Sequence, residues 1–518
     1  MVPVCPAAYT SRVDITGTIL GSNRMGTPAK ALARIDSLIR EGKTREARAA
    51  LKDFVAAPGG TARQAAARTA ELAHRSGAPD LGIRVLRPYI RPETRRFTAP
   101  TSAEILHYAV CLTRVGAIQE AIELFGTLGP DGHPDAALYS TFALVDRWDY
   151  APAIPLLRRY LASALGPYQT WVGRINLASA LIYEGDVATA RAEIDTVLRE
   201  ADASVHRLVR GKALQLMAAV CLDGRDLSGA GRALDEAQAL LSTTDTLDAL
   251  FIRKWRAFLD CLREGWSDAS RARLNDIRQQ GAAAGHWETE RDCDRFEAIE
   301  RKDEALLLKL WFGTPYPSYR ARLISGFGRP VLLPRGYDHA VGGAGRPAGR
   351  YDVARGTATG AKEALKEGQL PHRLLATLAS DFYRPFRIAA LHAALHPGNH
   401  YNPASAPARV HAAVQRTRGW LDAGAVPLLV TEESGFYHLA ATRPWTIHLT
   451  ATTPTASRSG ALLEKLRKQA GESIFTASDA TRGLDLPYRT VMRVLESGLK
   501  EGAIERTGKA RSVRYRFR

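Results

Sequence analysis

One spacing recurs through the first half of the chain and limits its fold more than any other feature. A helix ends at a glycine, and five residues later a small residue begins a second amphipathic helix. The pairs are Gly42/Ala47, Gly77/Gly82, Gly116/Ala121, Gly185/Ala190 and Gly265/Ser270. Trp148/Ala153 substitutes for one pair, and Gly224/Ala230 is one residue longer. The markers at 42, 77, 116, 148, 185, 224 and 265 are separated by 35, 39, 32, 37, 39 and 41 residues. Glycine turns the chain between antiparallel helices, and the small residue lets their axes approach closely.

The segment ALIYEGDVATARAEIDTVLRE, Ala180 to Glu200, resembles the tetratricopeptide family, whose repeat is about 34 residues. The resemblance implies an array over residues 27–312 with a concave surface for a protein or peptide. A spacer or a dimerisation stalk is the other reading of such an array.

At 518 residues the chain has room for two to four domains, and 45% hydrophobic residues support real cores. Net charge is +17. General solubility accounts for such a charge, and so does attraction to phosphate. The local excess separates these readings. From Thr481 to Arg518 there are ten basic and four acidic residues, +6 in a short terminal piece, which favours a located binding surface.

The five cysteines, Cys5, Cys111, Cys221, Cys261 and Cys293, are scattered, odd in number and without a C-x-x-C pair. That argues against a disulfide framework or a zinc site and fits a reducing cytoplasm, with most of the thiols buried as small apolar groups. No apolar run reaches membrane-spanning length. Residues 1–26 lack a signal-peptide plan and read as a disordered leader or an over-extended start ahead of Met25.

Residues 313–349, rich in Gly, Pro and Arg, read as a linker with a short helix at Tyr319–Phe327 and a flexible end at Gly342–Gly349. Over residues 350–445 the pattern predicts a strand at Tyr351–Ala354 and helices at Leu370–Asp381 and Ile388–Leu395. A third helix is predicted at Ala404–Leu421, with Asn402 as its N-cap and Pro403 at its first position. Val410, Val414, Thr417 and Leu421 face the core by spacing. PLLVTEESGFYHL then predicts a hairpin turning at Glu433-Ser434-Gly435.

The stretches RPFRIAALHAALHPG, NPASAPARVHAAVQRTRGWLD and LLVTEESGFYHL together resemble the OmpR-type winged helix of response regulators and some antibiotic regulators. By that resemblance the third helix is the recognition helix, and Arg409, His411, Gln415 and Arg416 are its candidate base or phosphate contacts. The hairpin departs from the pattern, with Glu432 and Glu433 where phosphate would want Lys or Arg. No receiver domain precedes the unit.

Residues 457–518 read as helix, turn, helix and two-stranded ribbon, the plan of a winged helix-turn-helix. Leu462, Leu463 and Leu466 share one face of the first helix, Ser459–Ala470. A short second helix runs from Ala477 to Gly483. Asp485 is expected to cap the third, with Pro487 in its first turn. Val491, Leu495 and Leu499 line its inner side, and Arg489, Arg493 and Lys500 its outer side. Tyr488, Arg489, Thr490 and Arg493 are the candidate base-edge contacts, because the N-terminal end of such a helix enters the major groove. The ribbon alternates, with Val513, Tyr515 and Phe517 on one side and Arg514, Arg516 and Arg518 on the other. Lys509 and Arg511 at the tip and Arg514 behind it suit backbone or minor-groove contact. The form LKEGAIERTGKARSVRYRF is similar to many bacterial winged helix regulators.

No Walker pattern, H-E-x-x-H, G-x-S-x-G or metal-spaced Cys/His set occurs. His392 and His396 stand at i, i+4 without a third ligand and read as surface or cap histidines. The expected fold is mainly α, a tetratricopeptide-like helical-hairpin solenoid followed by two α+β winged helix-turn-helix domains. The expected function is a cytoplasmic, nucleoid-associated transcription regulator without enzymatic activity, cofactor or metal. Its partners would be double-stranded DNA, a protein or peptide ligand of the repeats, and a second copy of itself in a homodimer, with no membrane. The alternatives are a scaffold whose winged domains dock proteins, or an accessory subunit of a nucleic-acid-processing complex.

Overall fold

A computed structural model describes residues 28–518, apart from positions 41–42, 58–61, 93–97, 130–132, 134, 203–205, 242–247, 452–457, 472, 501 and 509–512. The expected leader and Gly42 lie outside the described residues. The fold is mainly helical, with strands confined to the C-terminal part. The chain divides into two compact units, one running through Val331 and including Tyr401–Pro403, the other comprising Leu332–His400 and Ala404–Arg518.

The first unit is a succession of antiparallel hairpins. Its helices are α1 (Pro28–Arg40), α2 (Thr44–Ala56), α3 (Arg63–Arg75), α4 (Pro79–Ile90), α5 (Ser102–Val115), α6 (Ile118–Thr127), α7 (Ala136–Val145), α8 (Tyr150–Leu161) and α9 (Pro167–Glu184). They continue as α10 (Val187–Glu200), α11 (Arg207–Asp223), α12 (Leu227–Leu241), α13 (Asp248–Glu264), α14 (Asp268–Ala283), α15 (Glu288–Arg301), α16 (Glu304–Phe312) and α17 (Pro317–Phe327). Odd-numbered helices also pack on one another: α1 on α3, α3 on α5, α5 on α7, α9 on α11, α11 on α13, α13 on α15 and α15 on α17. That double adjacency is what stacked hairpins require.

The turns follow one chemistry. Gly77, Gly116, Gly185 and Gly265 have positive φ, as do Trp148, Arg225 and Lys302. The residue after each of six of these donates its N–H to the carbonyl five back, as in Ala117→Leu112, Asp149→Leu144, Asp186→Leu181 and Asp226→Cys221. This is the closing bond of a Schellman cap. The hairpin that seemed one residue too long is thereby explained. Gly224 has φ −77, and Arg225 takes the left-handed position at φ 60. Ala230 stands five residues beyond it, in step with the other hairpins.

The small residues sit where helices touch. Ala47, Ala121, Ala153, Ala190, Ala230 and Ser270 are all fully buried. A Cβ on Gly82 would lie 2.5 Å from Cys111 Sγ. The four described cysteines are free and buried. The last helix also reaches far back along the chain. Ser318 Oγ donates to Asp149 Oδ1 at 2.6 Å, Arg322 donates to the Trp148 carbonyl and to Glu184, and the Tyr319 ring meets the Trp148 ring at 4.6 Å between centroids. The helix expected at Tyr319–Phe327 is therefore α17, a packed member of the array.

The second unit begins with β1 (Gly336–Val341), β2 (Arg350–Asp352) and β3 (Thr357–Ala358). Helix α18 (Leu370–Leu378), strand β4 (Phe386–Arg387), helices α19 (Ile388–Leu395) and α20 (Ala406–Ala423), and strands β5 (Leu428–Glu433), β6 (Phe436–Ala441) and β7 (Trp445–Thr450) follow. The first sheet has the order β1-β7-β2-β3, the second β4-β6-β5. β7 pairs antiparallel with β1, from Gly336↔Thr450 to Val341↔Trp445, and parallel with β2.

That sheet corrects the expected linker. Residues 342–349 are the connection between two strands of one sheet. A Cβ on Gly349 would stand 2.2 Å from the Trp445 ring, and one on Gly342, at φ 81, would stand 2.1 Å from the Arg443 carbonyl oxygen. These glycines mark close packing against β7 and the residues that lead into it, an element the sequence reading did not place. The boundary expected at residue 445 falls on the first residue of β7.

Two further expectations shift. Asn402 does not cap α20: Pro403–Ser405 form a turn, the helix starts at Ala406, and Ser405 is its N-cap. The predicted strand at 351–354 is β2 at 350–352, and the helix predicted to reach Asp381 stops at Leu378. The β5–β6 hairpin turns at Ser434 and Gly435, with φ 53 and 83, the paired left-handed geometry that matches strand twist in a two-residue turn.

The C-terminal segment forms α21 (Arg458–Ala470), α22 (Ala477–Leu484), α23 (Tyr488–Lys500), β8 (Ile504–Thr507) and β9 (Arg514–Phe517). It has its own core of Leu463, Leu466, Phe475, Ala480, Leu484, Val491, Val494, Leu495, Ile504, Tyr515 and Phe517.

Candidate nucleic-acid interface

Helix α22 opens with a capping box, in which Thr476 and Asp479 each accept the other's backbone N–H. It ends at Asp485, which is left-handed at φ 52. Asp485 therefore terminates the second helix, and the expectation that it caps the third is corrected. The Pro487 carbonyl accepts from Thr490 and Val491 N–H, so α23 starts directly after the proline. Only three residues separate the helices, which leaves no room for both a C-cap and a separate N-cap side chain.

Helix α23 is sharply two-sided. Val491, Val494, Leu495 and Gly498 are buried, whereas Tyr488, Arg489, Arg493, Glu496 and Lys500 are exposed and Thr490 is half-buried. Tyr488 is 57% exposed, high for an aromatic ring and at the helix start. Among the described residues, no hydrogen bond or ion pair engages Arg489 or Arg493.

The ribbon packs β9 between β8 and the backbone of Phe475, whose N–H and carbonyl both pair with Tyr515. Tyr515 and Phe517 point into the core, and Arg514, Arg516 and Arg518 point out, as expected. These arginines are not equivalent. Arg516 and Arg518 both reach Glu505, at 2.7 and 3.4 Å. Arg514 lies opposite Thr507 without an acid across the ladder. Lys509 and Arg511 lie outside the described residues. Two exposed arginines missing from the expected set, Arg482 and Arg506, belong to the same module. They were visible in the charge excess, but no spacing assigned them to a face.

Helix α20 is built on the same principle. Val410, Val414, Thr417 and Leu421 are buried, and Arg409, His411, Gln415 and Arg416 are exposed on the other side. Arg418 is turned to the hairpin, donating to the Val430 carbonyl at 2.7 Å. His392 and His396 are 5.2 Å apart between centroids. Burial first, then His396 and Arg409, push the His392 imidazole down to about 4. His392 is thus buried, contrary to the surface expectation, while His396 is the C-cap of α19. The hairpin tip is acidic, with Glu432 and Glu433 exposed and Glu432 Oε1 accepting the Gly435 N–H at 2.7 Å. Among the described residues, no group of three metal-ligating side chains occurs, and no helix is long and apolar enough to cross a membrane.

No protein-family model matches the chain, and no curated protein is significantly similar to it in sequence.

Proposed function

We propose that the chain is a DNA-binding transcription regulator in which α23 enters the major groove and the β8–β9 ribbon follows the backbone. The observation that carries this reading is the outer face of α23. It presents Tyr488, Arg489 and Arg493 to solvent from the start of a helix whose other side is locked into a core. Unpaired guanidinium groups at that end suit phosphate contact and bidentate reading of guanine. The helical array is the part that would take a protein signal or pair two copies.

Fluorescence anisotropy of the full chain with pooled duplex oligonucleotides tests the reading. The logarithm of the association constant should fall linearly with the logarithm of salt, by roughly 0.9 for each phosphate neutralised. A flat dependence overturns it. The acidic tip at Glu432 and Glu433 favours a different role for the α20 unit, namely docking of a basic protein surface. If so, its hairpin contributes nothing to the salt slope.

A further inference from the structure

The helical unit carries a half-open cavity of about 390 Å³, lined from the α7–α8 turn and from α9, α11, α13, α15 and α17. That volume lies within the range of about 300–1,000 Å³ typical of small-molecule sites. We propose that this cavity binds a small aromatic carboxylate, with its ring among Trp148, Tyr183 and Phe296 and its carboxylate on Arg295.

The first ground is Trp148. Of the seven left-handed turn positions within the described hairpins, four hold glycine and two hold the exposed Arg225 and Lys302, whereas this one holds a buried aromatic ring, a tryptophan at φ 62. A bulky side chain is disfavoured there, and such outliers gather at functional sites. Its ring is aimed into the cavity wall, edge-on to Tyr183 at 5.4 Å and to Tyr319 at 4.6 Å. Phe296 completes the apolar lining, stacked on Phe258 at 4.0 Å.

The second ground is charge. Two of the cavity's arginines are neutralised within its own wall, Arg322 by Glu184 and Arg225 by both oxygens of Glu300 at 2.9 Å. Arg295 is not. Its nearest carboxylate, Asp292 Oδ1, stands at 3.7 Å, and the other oxygen of Asp292 is already held by Lys254 Nζ at 2.7 Å. The Arg295 side chain retains 31% exposure, and its guanidinium makes no hydrogen bond among the described residues. An arginine with open donors beside aromatic faces suits a planar anion, which it can grip bidentately. The third acid of the lining, Asp223, forms no ion pair with Arg295 among the described residues, so this guanidinium stays open to such an anion and disfavours the ammonium ligands that aromatic walls alone would accept.

The test is isothermal titration calorimetry on the full chain with indole-3-acetate, phenylpyruvate and 4-hydroxybenzoate, against indole-3-acetamide and tryptamine as the neutral and cationic counterparts of the first. At least one acid should bind with one-to-one stoichiometry, and indole-3-acetate should bind at least tenfold tighter than its amide and its amine. Arg295→Met should erase the preference for acid over amide, a readout that loss of folding does not mimic. Gly326→Leu should block binding of all ligands. Gly326 lies on the cavity rim in α17, and a Cβ there meets only Ile299 Cδ1, at 3.5 Å, so the fold should persist. The proposal is overturned if no acid binds, if amide or amine binds as well as acid, or if Arg295→Met keeps the preference. No DNA enters the measurement, so this site and the α23 interface stand or fall separately.

Discussion

Arginine and lysine are placed in opposite ways at the helix contacts of the array and on the outer face of α23. In the array they are matched at helix contacts: Lys254 with Asp292, Lys212 with Asp248, Arg278 with Asp294 and Glu297, Arg63 with Glu104. Several of these acids are nearly or fully buried, so the partner charge is a condition of folding there. In α23 the basic groups stand in solvent, and no acid within the module engages Arg489 or Arg493. Overall net charge averages over the two regions and hides the difference. The same residue type is structural where it is paired and dry, and available to an outside partner where it is unpaired and wet.

Lys254→Met attacks the first half of that contrast and should have the largest effect. Burial opposes ionisation of Asp292, yet Lys254 overrides it and holds the carboxyl below its ordinary range. Removing the lysine takes a partner at 2.7 Å away from a buried charge, at a cost of about 3–5 kcal/mol. Urea denaturation followed by circular dichroism reads it, and a loss under about 0.5 kcal/mol would break the contrast.

Acid should act on the buried imidazoles next. Burial, and then Lys254, push His286 down to about 3, while burial followed by His107 and Arg114 puts His74 well below its usual value. The unfolded chain therefore takes up protons that the folded chain refuses. Stability is full above about pH 6.5 and falls as pH drops from there toward 3. Thermal melts across that range check the sign, and melting temperatures that rise on acidification would contradict it.

Arg493→Ala probes the other half. It should weaken duplex binding by about 1–3 kcal/mol and leave the melting temperature unchanged within error. An equal loss of stability would make Arg493 structural and erase the distinction.

The smallest effect is expected from Arg225→Gly. Relief of a left-handed non-glycine residue contributes roughly 1–2 kcal/mol, and loss of the exposed Glu300 pair offsets up to about 1 kcal/mol of that. A net gain between zero and about 2 kcal/mol in the array's unfolding free energy would mark Arg225 as the true turn residue of its hairpin.

Local chemistry was legible in the sequence and long-range pairing was not. The Gly-to-small spacing shows the hairpins because cap and contact lie five residues apart. The alternation in Val513–Arg518 shows the ribbon for the same reason. By contrast, β7 acquires its meaning from β1, more than a hundred residues upstream, and without that partner the glycines before β2 look like a linker. Gly224 drew attention from Arg225 because composition predicts the left-handed position but does not require glycine there. Asp485 followed by Pro487 has the composition of a helix start, yet a three-residue turn gave it to the helix before. The outer face of α23 followed from helical periodicity. The unequal engagement of Arg514 and Arg516 depends on which of them meets Glu505 across the ladder.

The contacts from α17 back to Trp148 and Asp149 change how the array should respond to stress. A row of hairpins touching only their neighbours frays from either end, one unit at a time. Here the final helix is fastened to a turn about 170 positions earlier, so the hairpins between them form a loop with a clasp. Such a loop gives way all at once or stays shut. Pulling on the chain should therefore release that span in one large step.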